Sequence, residues 1–390
     1  MSVATASKAA PAAVVKEPIT LAIVDGCPPE LDSLAAKAPA DHAFLRASWF
    51  EASGAESCLI ARRGGQAVAA FPTQPAGPPQ LGARAVAGLY WPFRFPLLAA
   101  DLDDADLREL LGEIRASGLL GPLWRIGPCY GDDPLARRLM VQADAAGWHL
   151  VSRSLGRTWT LDVTDACRQG SWPRTSTRKR LAKYERQLAE LGRVEIEDIR
   201  GAGWTEQVLA DLASVERRSW VGATDRTGAK FLAPQHLAHW RRCIADPVLA
   251  ELLSATIVRL DGRPIAFSLD VTAGSLQYGI AGAFDQAFGT HRVGRLANET
   301  TMIRSAERGV TRFDWGAGDS GYKREAGFDA GSEIVDVLFV RNPVLARLLR
   351  RRWANSEETA EDAGRLPLTR REALLLGSLV TASTVAVMAE

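Results

Sequence analysis

Cysteine is scarce in this sequence, and its spacing excludes two common kinds of site. Five cysteines are spread over 390 residues, an odd number at wide separations, which fits neither a disulfide framework nor a cluster of metal ligands. His236 and His239 lie three residues apart without a third histidine nearby, and we interpret them as part of a polar helix face. The sequence therefore predicts no metal site and a reducing, cytoplasmic location.

An excess of charge of either sign is also missing. The 47 Lys and Arg residues against 46 Asp and Glu give a net charge of +1, which predicts no general attraction to DNA or anionic lipid. One stretch departs from this balance, with six cations between Arg174 and Arg186. A solvated helix face is the simplest interpretation, and a contact with an anionic acceptor or a tRNA is the functional alternative. The candidate residues for that contact are Arg178, Lys179 and Lys183.

Neither terminus carries a clear targeting signal. Residues 1–17 lack the continuous apolar core of a secretory signal and are predicted to be a disordered leader. Residues 373–389 contain no charge, and as a helix they would be about 25 Å long, near the lower limit for spanning a bilayer. A terminal helix docked on the body or on a partner is the simpler interpretation, because Gly, Ser and Thr dilute its apolarity. Weak membrane contact through this tail is the alternative.

The composition of the main body is that of a globular protein. With 47% hydrophobic and 24% charged residues, a chain of this length predicts about two or three folded domains. Helix and strand patterns alternate through both parts of the chain, which favours an α/β layered fold. We predict an N-terminal half over residues 18–165, a C-terminal half over 166–345, and a polar linker with an apolar C-terminal helix over 346–390.

The second half contains three predicted strands in close succession and then a helix. Asp261 and Gly262 form the turn between the first two strands. In the middle strand, apolar residues alternate with Ser268 and Asp270, so Asp270 faces away from the apolar row. A hydrogen-bonded structural carboxylate is the simpler interpretation of Asp270, and a catalytic carboxylate is the alternative.

Several short motifs occur in a fixed order along this half. A Ser-Trp-x-Gly segment occupies residues 219–222, an Asp-Gly-x-Pro-Ile-Ala-Phe turn occupies 261–267, and a Phe-Asp-Trp-Gly-x-Gly-Asp-x-x-Tyr-Lys block occupies 313–323. Between the last two, Gly294 stands at the start of a predicted helix. In this combination the sequence resembles the GNAT acyltransferase superfamily, and within it the FemAB-like branch of CelD-type, cellulose-biosynthesis-associated acetyltransferases. The resemblance extends over residues 18–345.

This resemblance implies two tandem GNAT-like halves, each a mixed, mostly antiparallel sheet flanked by helices. It also implies an acyl donor, acetyl-CoA first, whose pyrophosphate the start of a glycine-containing helix can hold. His291 and Leu296 differ from the usual residues of the family pattern, and FemAB-like enzymes can use an aminoacyl-tRNA instead. The candidate donor-binding residues are His291, Arg292, Val293, Gly294 and Arg295.

Acyl transfer to an amine requires a base, a group that stabilises the oxyanion, and an acid for the leaving group. Lys323 is the first candidate, as an exposed loop cation beside the oxyanion, and Tyr322 is a candidate proton donor. Each candidate also has a simpler structural role open to it, as a turn cap, a packed ring or an ion-pair partner. The candidate bases are Asp270, Glu216 and Asp319, and Trp220 is a candidate substrate contact.

Three hypotheses for function follow from the sequence. The first is an acyltransferase that uses acetyl-CoA to acylate an amine or hydroxyl of a cell-envelope or exopolysaccharide precursor. The second is a FemAB-like transferase that takes its acyl group from an aminoacyl-tRNA. The third is a non-catalytic accessory protein of polysaccharide biosynthesis that docks through its apolar tail.

Overall fold

A computed structural model shows the fold and describes residues 17–88, 94–223, 229–318 and 321–353. Strands and helices alternate along these residues. The strands are β1 (Ile19–Asp25), β2 (Ser57–Arg63), β3 (Gln66–Pro75), β4 (Arg84–Val86), β5 (Leu97–Leu98), β6 (Leu123–Tyr130), β7 (His149–Asp162), β8 (Val194–Ile199), β9 (Leu253–Leu260), β10 (Arg263–Ala273), β11 (Leu276–Phe284), β12 (Arg312–Ala317) and β13 (Asp329–Val340). The α-helices are α1 (Glu30–Ala35), α2 (Ala47–Ala52), α3 (Asp104–Ser117), α4 (Pro134–Ala145), α5 (Thr164–Arg168), α6 (Thr175–Ala189), α7 (Glu206–Arg218), α8 (Trp220–Ala223), α9 (Pro234–Ala245), α10 (Pro247–Leu252), α11 (Val293–Glu307), α12 (Tyr322–Glu325) and α13 (Pro343–Trp353).

These strands form one sheet whose order reveals two related halves. The order is β1-β2-β3-β4-β6-β13-β7-β12-β11-β10-β9-β8, with β5 beside β3. Neighbouring strands are antiparallel except at β4–β6 and β11–β12, which occupy equivalent places on the two sides. The prediction of an α/β fold with two mostly antiparallel halves is confirmed.

The two central strands are exchanged between the halves. β7, which ends the first half, pairs with β12 of the second, while β13, the last strand of the chain, pairs with β6 of the first. β7 and β13 also pair with each other. Buried Asp336 of β13 accepts hydrogen bonds from Arg125 of β6 at 2.5 Å and from Arg153 of β7 at 2.9 Å. Both halves therefore contribute strands to the same sheet across this crossing.

Local sequence signals set the ends of several elements. The side chain of Asp103 accepts a hydrogen bond from the backbone N–H of Asp106 at 2.8 Å and caps α3. Gly118 ends that helix with a φ of +71°. Asp261 and Gly262, with φ values of +50° and +76°, form the predicted turn between β9 and β10.

Helices cover both faces of the sheet and produce separate cores. On one face of β10, Phe267 and Leu269 join a large cluster that includes residues of α7 and α9. On the other face, Ala266 packs with Leu296 of α11 and Leu181 of α6. Because side chains alternate along a strand, Ser268 and Asp270 continue this second face, as the sequence predicted.

Two local predictions are wrong. His239 is buried rather than part of a polar face, with its Nε2 3.5 Å from Cys243 Sγ, and burial lowers its pKa to about 4. Residues 346–353 are helical rather than a polar linker, because Leu349 and Trp353 are buried against the sheet.

Most of the predicted leader and the whole apolar tail lie outside the described residues. Residues 1–16 and 354–390 belong to these parts, and the predictions for them stay predictions. Within the described ranges, no helix is both long enough and apolar enough to cross a bilayer.

Candidate active site

A large cavity opens beyond the point where two parallel strands stop pairing. β11 and β12 pair only between Leu276–Tyr278 and Arg312–Asp314. Beyond this point β11 continues to Phe284, while β12 ends at Ala317 and pairs only with β7. A cavity of about 630 Å³ fills the gap, bounded by β10, β11, the start of α11, and α12. The backbone of β11 beyond Tyr278, which does not pair with β12, therefore borders the cavity.

A β-bulge lies in β11 at the side of this cavity. Leu269 pairs with Ala281 and Asp270 pairs with Gly279, which leaves Ile280 without a partner in β10. A Cβ atom at Gly279 would lie 2.9 Å from the Trp315 ring, so only glycine lets this ring approach the strand. The bulge was not predicted from the sequence, although an isolated glycine within a strand is a signal for a bulge or a close approach.

Asp270 lies at the inner end of the cavity, beside the bulge. Its carboxylate is buried and accepts a hydrogen bond from Ser268 Oγ at 2.7 Å. Burial raises the pKa of Asp270 from 3.8 to about 7, because a buried carboxylate loses the hydration of its charged form. A carboxylate with this pKa can accept a proton near neutral pH, so the structure brings one predicted base into the cavity in a suitable state.

The start of α11 faces the same cavity. Four of the five candidate donor-binding residues line it, and His291 is not among the lining residues. No side chain caps the helix, and Arg292 precedes it with a φ of +56°. The first-turn N–H groups and two arginines, Arg292 and Arg295, therefore lie beside the cavity.

Gly294 is required in the first turn by a neighbouring ring. A Cβ atom there would lie 2.7 Å from Cδ1 of Phe284, which also lines the cavity. Arg295 donates to Glu299 at 2.6 Å, and Glu299 also accepts from Arg180 of α6 at 2.9 Å. Arg180 therefore joins α6 to α11 through a buried carboxylate.

Lys323 lines the cavity but is not the exposed loop cation that the sequence suggested. Its side chain is only 3% exposed, and its ammonium donates to the carbonyl oxygens of Trp315 at 2.6 Å, Gly316 at 3.0 Å and Ala317 at 3.0 Å. The prediction was wrong because a position near a loop does not by itself make a side chain exposed. These three contacts give Lys323 a structural role in holding the end of β12.

Asp314 also holds the end of β12 in place. Buried Asp314 accepts hydrogen bonds from the hydroxyl groups of Tyr130 and Thr158 and from the N–H of Gly316, the last at 2.6 Å. Burial raises its pKa. Together with Lys323, Asp314 explains much of the Phe-Asp-Trp-Gly to Tyr-Lys block as a framework for the cavity wall.

Aromatic side chains form part of the rim of the cavity. Tyr322 is 50% exposed and stacks on Trp315 with ring centroids 5.9 Å apart, while Trp220 is 58% exposed. Trp220 follows Ser219, whose Oγ accepts a hydrogen bond from the N–H of Val221 at 3.2 Å. The predicted proton donor and the predicted substrate contact thus lie at the same opening.

Glu216 is held by backbone groups. Its two carboxylate oxygens accept hydrogen bonds from the N–H groups of Lys230 and Phe231, each at 2.7 Å. The carboxylate is buried and borders the cavity. With both oxygens occupied in this way, Glu216 holds the backbone at Lys230 and Phe231 in place beside the cavity.

Three candidate residues on α6 lie apart from the cavity. Arg178, Lys179 and Lys183 are exposed on α6 and are not among the lining residues. This position agrees with a solvated helix face, and their predicted role in substrate binding stays a prediction. Asp319 lies outside the described residues.

The second part of the chain matches a known family. Residues 175–324 match the family model described as an acetyltransferase (GNAT) domain. No curated protein shows a significant sequence match to the chain. The match supports the predicted GNAT-type domain and an acyltransferase, while the CelD-type branch stays a prediction.

Solved structures show how far the fold extends. FemX is similar with a TM-score of 0.56 at 14% identity, over 82% of this chain and 98% of FemX. The C-terminal domain of a protein described as a lysylphosphatidylglycerol synthetase, from Agrobacterium fabrum, is similar with a TM-score of 0.51 at 15% identity, over 82% of this chain and 92% of that one. At these identities the likeness shows the fold, which extends across both halves.

Proposed function

We propose that this protein is an N-acyltransferase that uses an acyl-CoA donor. The proposal starts from the match of residues 175–324 to the GNAT acetyltransferase domain. The observation that carries this proposal is the cavity between β11 and β12, with the uncapped start of α11 on one side and Asp270 at its inner end. The preferred acceptor is an amine on a cell-envelope or exopolysaccharide precursor.

The residues present fit an acyl-CoA. The pyrophosphate would lie at the start of α11, where free N–H groups and Arg292 supply positive charge. The two amide groups of the pantetheine arm need hydrogen-bond partners, and the β11 edge beyond Tyr278 offers backbone groups that do not pair with β12. The thioester would then reach the bulge at Ile280, close to Asp270.

Transfer requires little from the protein beyond position, a base and oxyanion donors. The acceptor nitrogen attacks the thioester carbonyl, a C–N bond forms, and the nitrogen gives its proton to Asp270. Backbone N–H groups at the bulge stabilise the negative charge on the carbonyl oxygen. The C–S bond then breaks, and the departing thiolate takes a proton from the hydroxyl of Tyr322, which solvent restores because Tyr322 is half exposed.

The aromatic rim supports a glycan-like acceptor. Exposed rings such as Trp220 and Tyr322 offer flat apolar surfaces with a polar edge, which suit the apolar face of a sugar ring. An amino sugar would then present its amine toward Asp270 while its ring lies against the rim.

Donor binding and turnover together test the proposed function. A ligand present at 100 times its dissociation constant raises stability by about 2.7 kcal/mol, so acetyl-CoA should raise Tm by several degrees. Free CoA thiol should appear when acetyl-CoA is mixed with amino sugars such as glucosamine. If acyl-CoA does not change Tm and aminoacyl-tRNA binds in a salt-sensitive manner, aminoacyl-tRNA replaces acyl-CoA as the proposed donor. Binding of neither would favour a non-catalytic accessory role.

A further inference from the structure

Helix α13 presents two different sides. Leu345, Ala346, Leu349 and Trp353 are buried against the sheet. At 100° per residue, the opposite side of the helix carries Val344, Arg347, Leu348 and Arg351. Val344 is 56% exposed and Leu348 is 44% exposed. The outer side of α13 therefore shows two aliphatic side chains between exposed arginines.

The charge of this segment contrasts with that of the whole protein. Five arginines stand at positions 341, 347, 350, 351 and 352, and no Asp or Glu occurs between Asp336 and Glu357. The overall net charge is only +1. Residues 341–352 thus form a second cationic segment, besides the one on α6, in a molecule with almost no net charge.

We propose that the outer side of α13 binds the surface of an anionic lipid bilayer. Val344 and Leu348 would enter the boundary between headgroups and acyl chains, while Arg347 and Arg351 would extend to the phosphates. A nucleic acid is a poorer match, because it would leave the two aliphatic side chains facing a charged backbone. This proposal is independent of the reaction in the cavity.

The continuation of the chain agrees with a lipid partner. Nineteen residues, 354–372, separate α13 from the uncharged stretch 373–389. Two weak membrane signals on one chain can give stable attachment where a single one gives only reversible binding. Because α13 offers only two aliphatic side chains, its own contribution should be weak and sensitive to salt.

Vesicle co-sedimentation of the full chain tests the proposal. We expect binding to vesicles of phosphatidylglycerol and phosphatidylcholine in equal parts, and none to phosphatidylcholine alone. Arg347→Glu/Arg351→Glu should lower the partition coefficient by at least about tenfold, since each cation near the surface contributes strongly. Val344→Ser/Leu348→Ser should lower it as well without changing charge. Unchanged Tm values show that both variants are folded.

Two matched variants separate binding through α13 from a general charge effect and from binding through the tail alone. Lys179→Glu/Lys183→Glu on α6 changes the net charge by the same amount and should leave vesicle binding within about twofold of the unaltered chain. Leu376→Asp/Val380→Asp disrupts the uncharged tail and should leave binding that still depends on Arg347. The proposal is overturned if the chain does not bind anionic vesicles, if the α6 variant loses as much binding as the α13 variant, or if only the tail variant loses it. It is also overturned if the α13 arginines bind tRNA but not vesicles.

Discussion

The two halves share a strand order but differ at the helix that joins their parallel strands. In the first half this helix is α3, which connects β4 to β6, and in the second it is α11, which connects β11 to β12. α3 is capped by Asp103 and carries Asp104 and Asp106 in its first turn. α11 has no side-chain cap and no acidic residue in its first turn. In the first helix Asp103 accepts a hydrogen bond from one first-turn N–H group and the acidic residues disfavour anions, whereas the second helix has neither feature.

The neighbouring strands differ in the same sense. β3, the counterpart of β10, contains no Asp or Glu, whereas β10 carries Asp270. The proposed function uses this difference, because it places the donor at the uncapped, basic helix of the second half and assigns no reaction to the capped, acidic helix of the first. One scaffold present twice in a chain can thus differ between its copies in the features that a ligand needs.

Asp270→Asn gives the largest expected effect on this contrast. Removing the proposed base should lower kcat by about 10²- to 10⁴-fold, because a positioned base contributes that much to proton transfer. Ser268→Ala, which removes only the hydrogen bond to the carboxylate, should cause a smaller loss. Full activity in a folded Asp270→Asn protein would show that the carboxylate does not distinguish the halves catalytically.

The pH dependence sharpens the same assignment. With a pKa of about 7, Asp270 is the active base only when ionised, so kcat/KM should fall about tenfold per pH unit below 7 and level off above it. For stability the sign is opposite. The folded state holds the proton up to about pH 7 while the unfolded carboxyl loses it near 3.8, so this group lowers stability as pH rises between these values. At pH 8, the Tm of Asp270→Asn should be no lower than that of the unaltered protein. A lower Tm would contradict this account.

Lys323→Ala should act mainly on folding of the second half. Loss of three hydrogen bonds from a buried ammonium should destabilise the protein by about 3 kcal/mol. Lys179→Ala on the exposed face of α6 is the control and should change the unfolding free energy by less than about 0.5 kcal/mol. Urea unfolding measures both. An unaltered unfolding free energy with lost turnover would return Lys323 to the catalytic candidates.

Glycine substitutions compare the two connecting helices directly. Gly294→Ala should push Phe284 into the cavity and weaken acyl-CoA binding by about tenfold, the scale of an overpacked site. Gly112→Ala in α3, where no atom lies within 4 Å of the added Cβ, should leave binding unchanged and stabilise the helix by about 0.5–1 kcal/mol. Calorimetric titration measures the affinity, and equal effects of the two substitutions would abolish the distinction.

Arg292→Glu gives the smallest expected change. An acid at the start of α11 would imitate the first turn of α3 and should weaken donor binding by about three- to tenfold, the range of a helix-terminus charge effect. The loss should shrink at high salt because the site is open to solvent. Binding that does not respond to this charge would place the donor phosphates elsewhere.

Periodic patterns predicted much of the fold, and the exceptions have physical causes. Asp270 could be placed on the correct face because alternation along β10 is strict. The exchange of β7 and β13 could not be predicted, because strand order depends on contacts between distant parts of the chain. The role of Lys323 was missed for a related reason, since carbonyl groups that bind a lysine leave no sequence pattern. Glu216 was a candidate base in the sequence, which does not show its two backbone partners.

The exchange of β13 has a consequence for synthesis. A ribosome completes the first half of the chain long before residues 329–340 exist, so β6 emerges with its future neighbour still untranslated. That edge of the nascent sheet must stay unpaired for the time needed to make the second half, and unpaired strand edges invite association with other chains. We therefore expect the nascent chain to depend on chaperones until the last strand is released. The first half also cannot reach its final form unless the half that carries the cavity has been made.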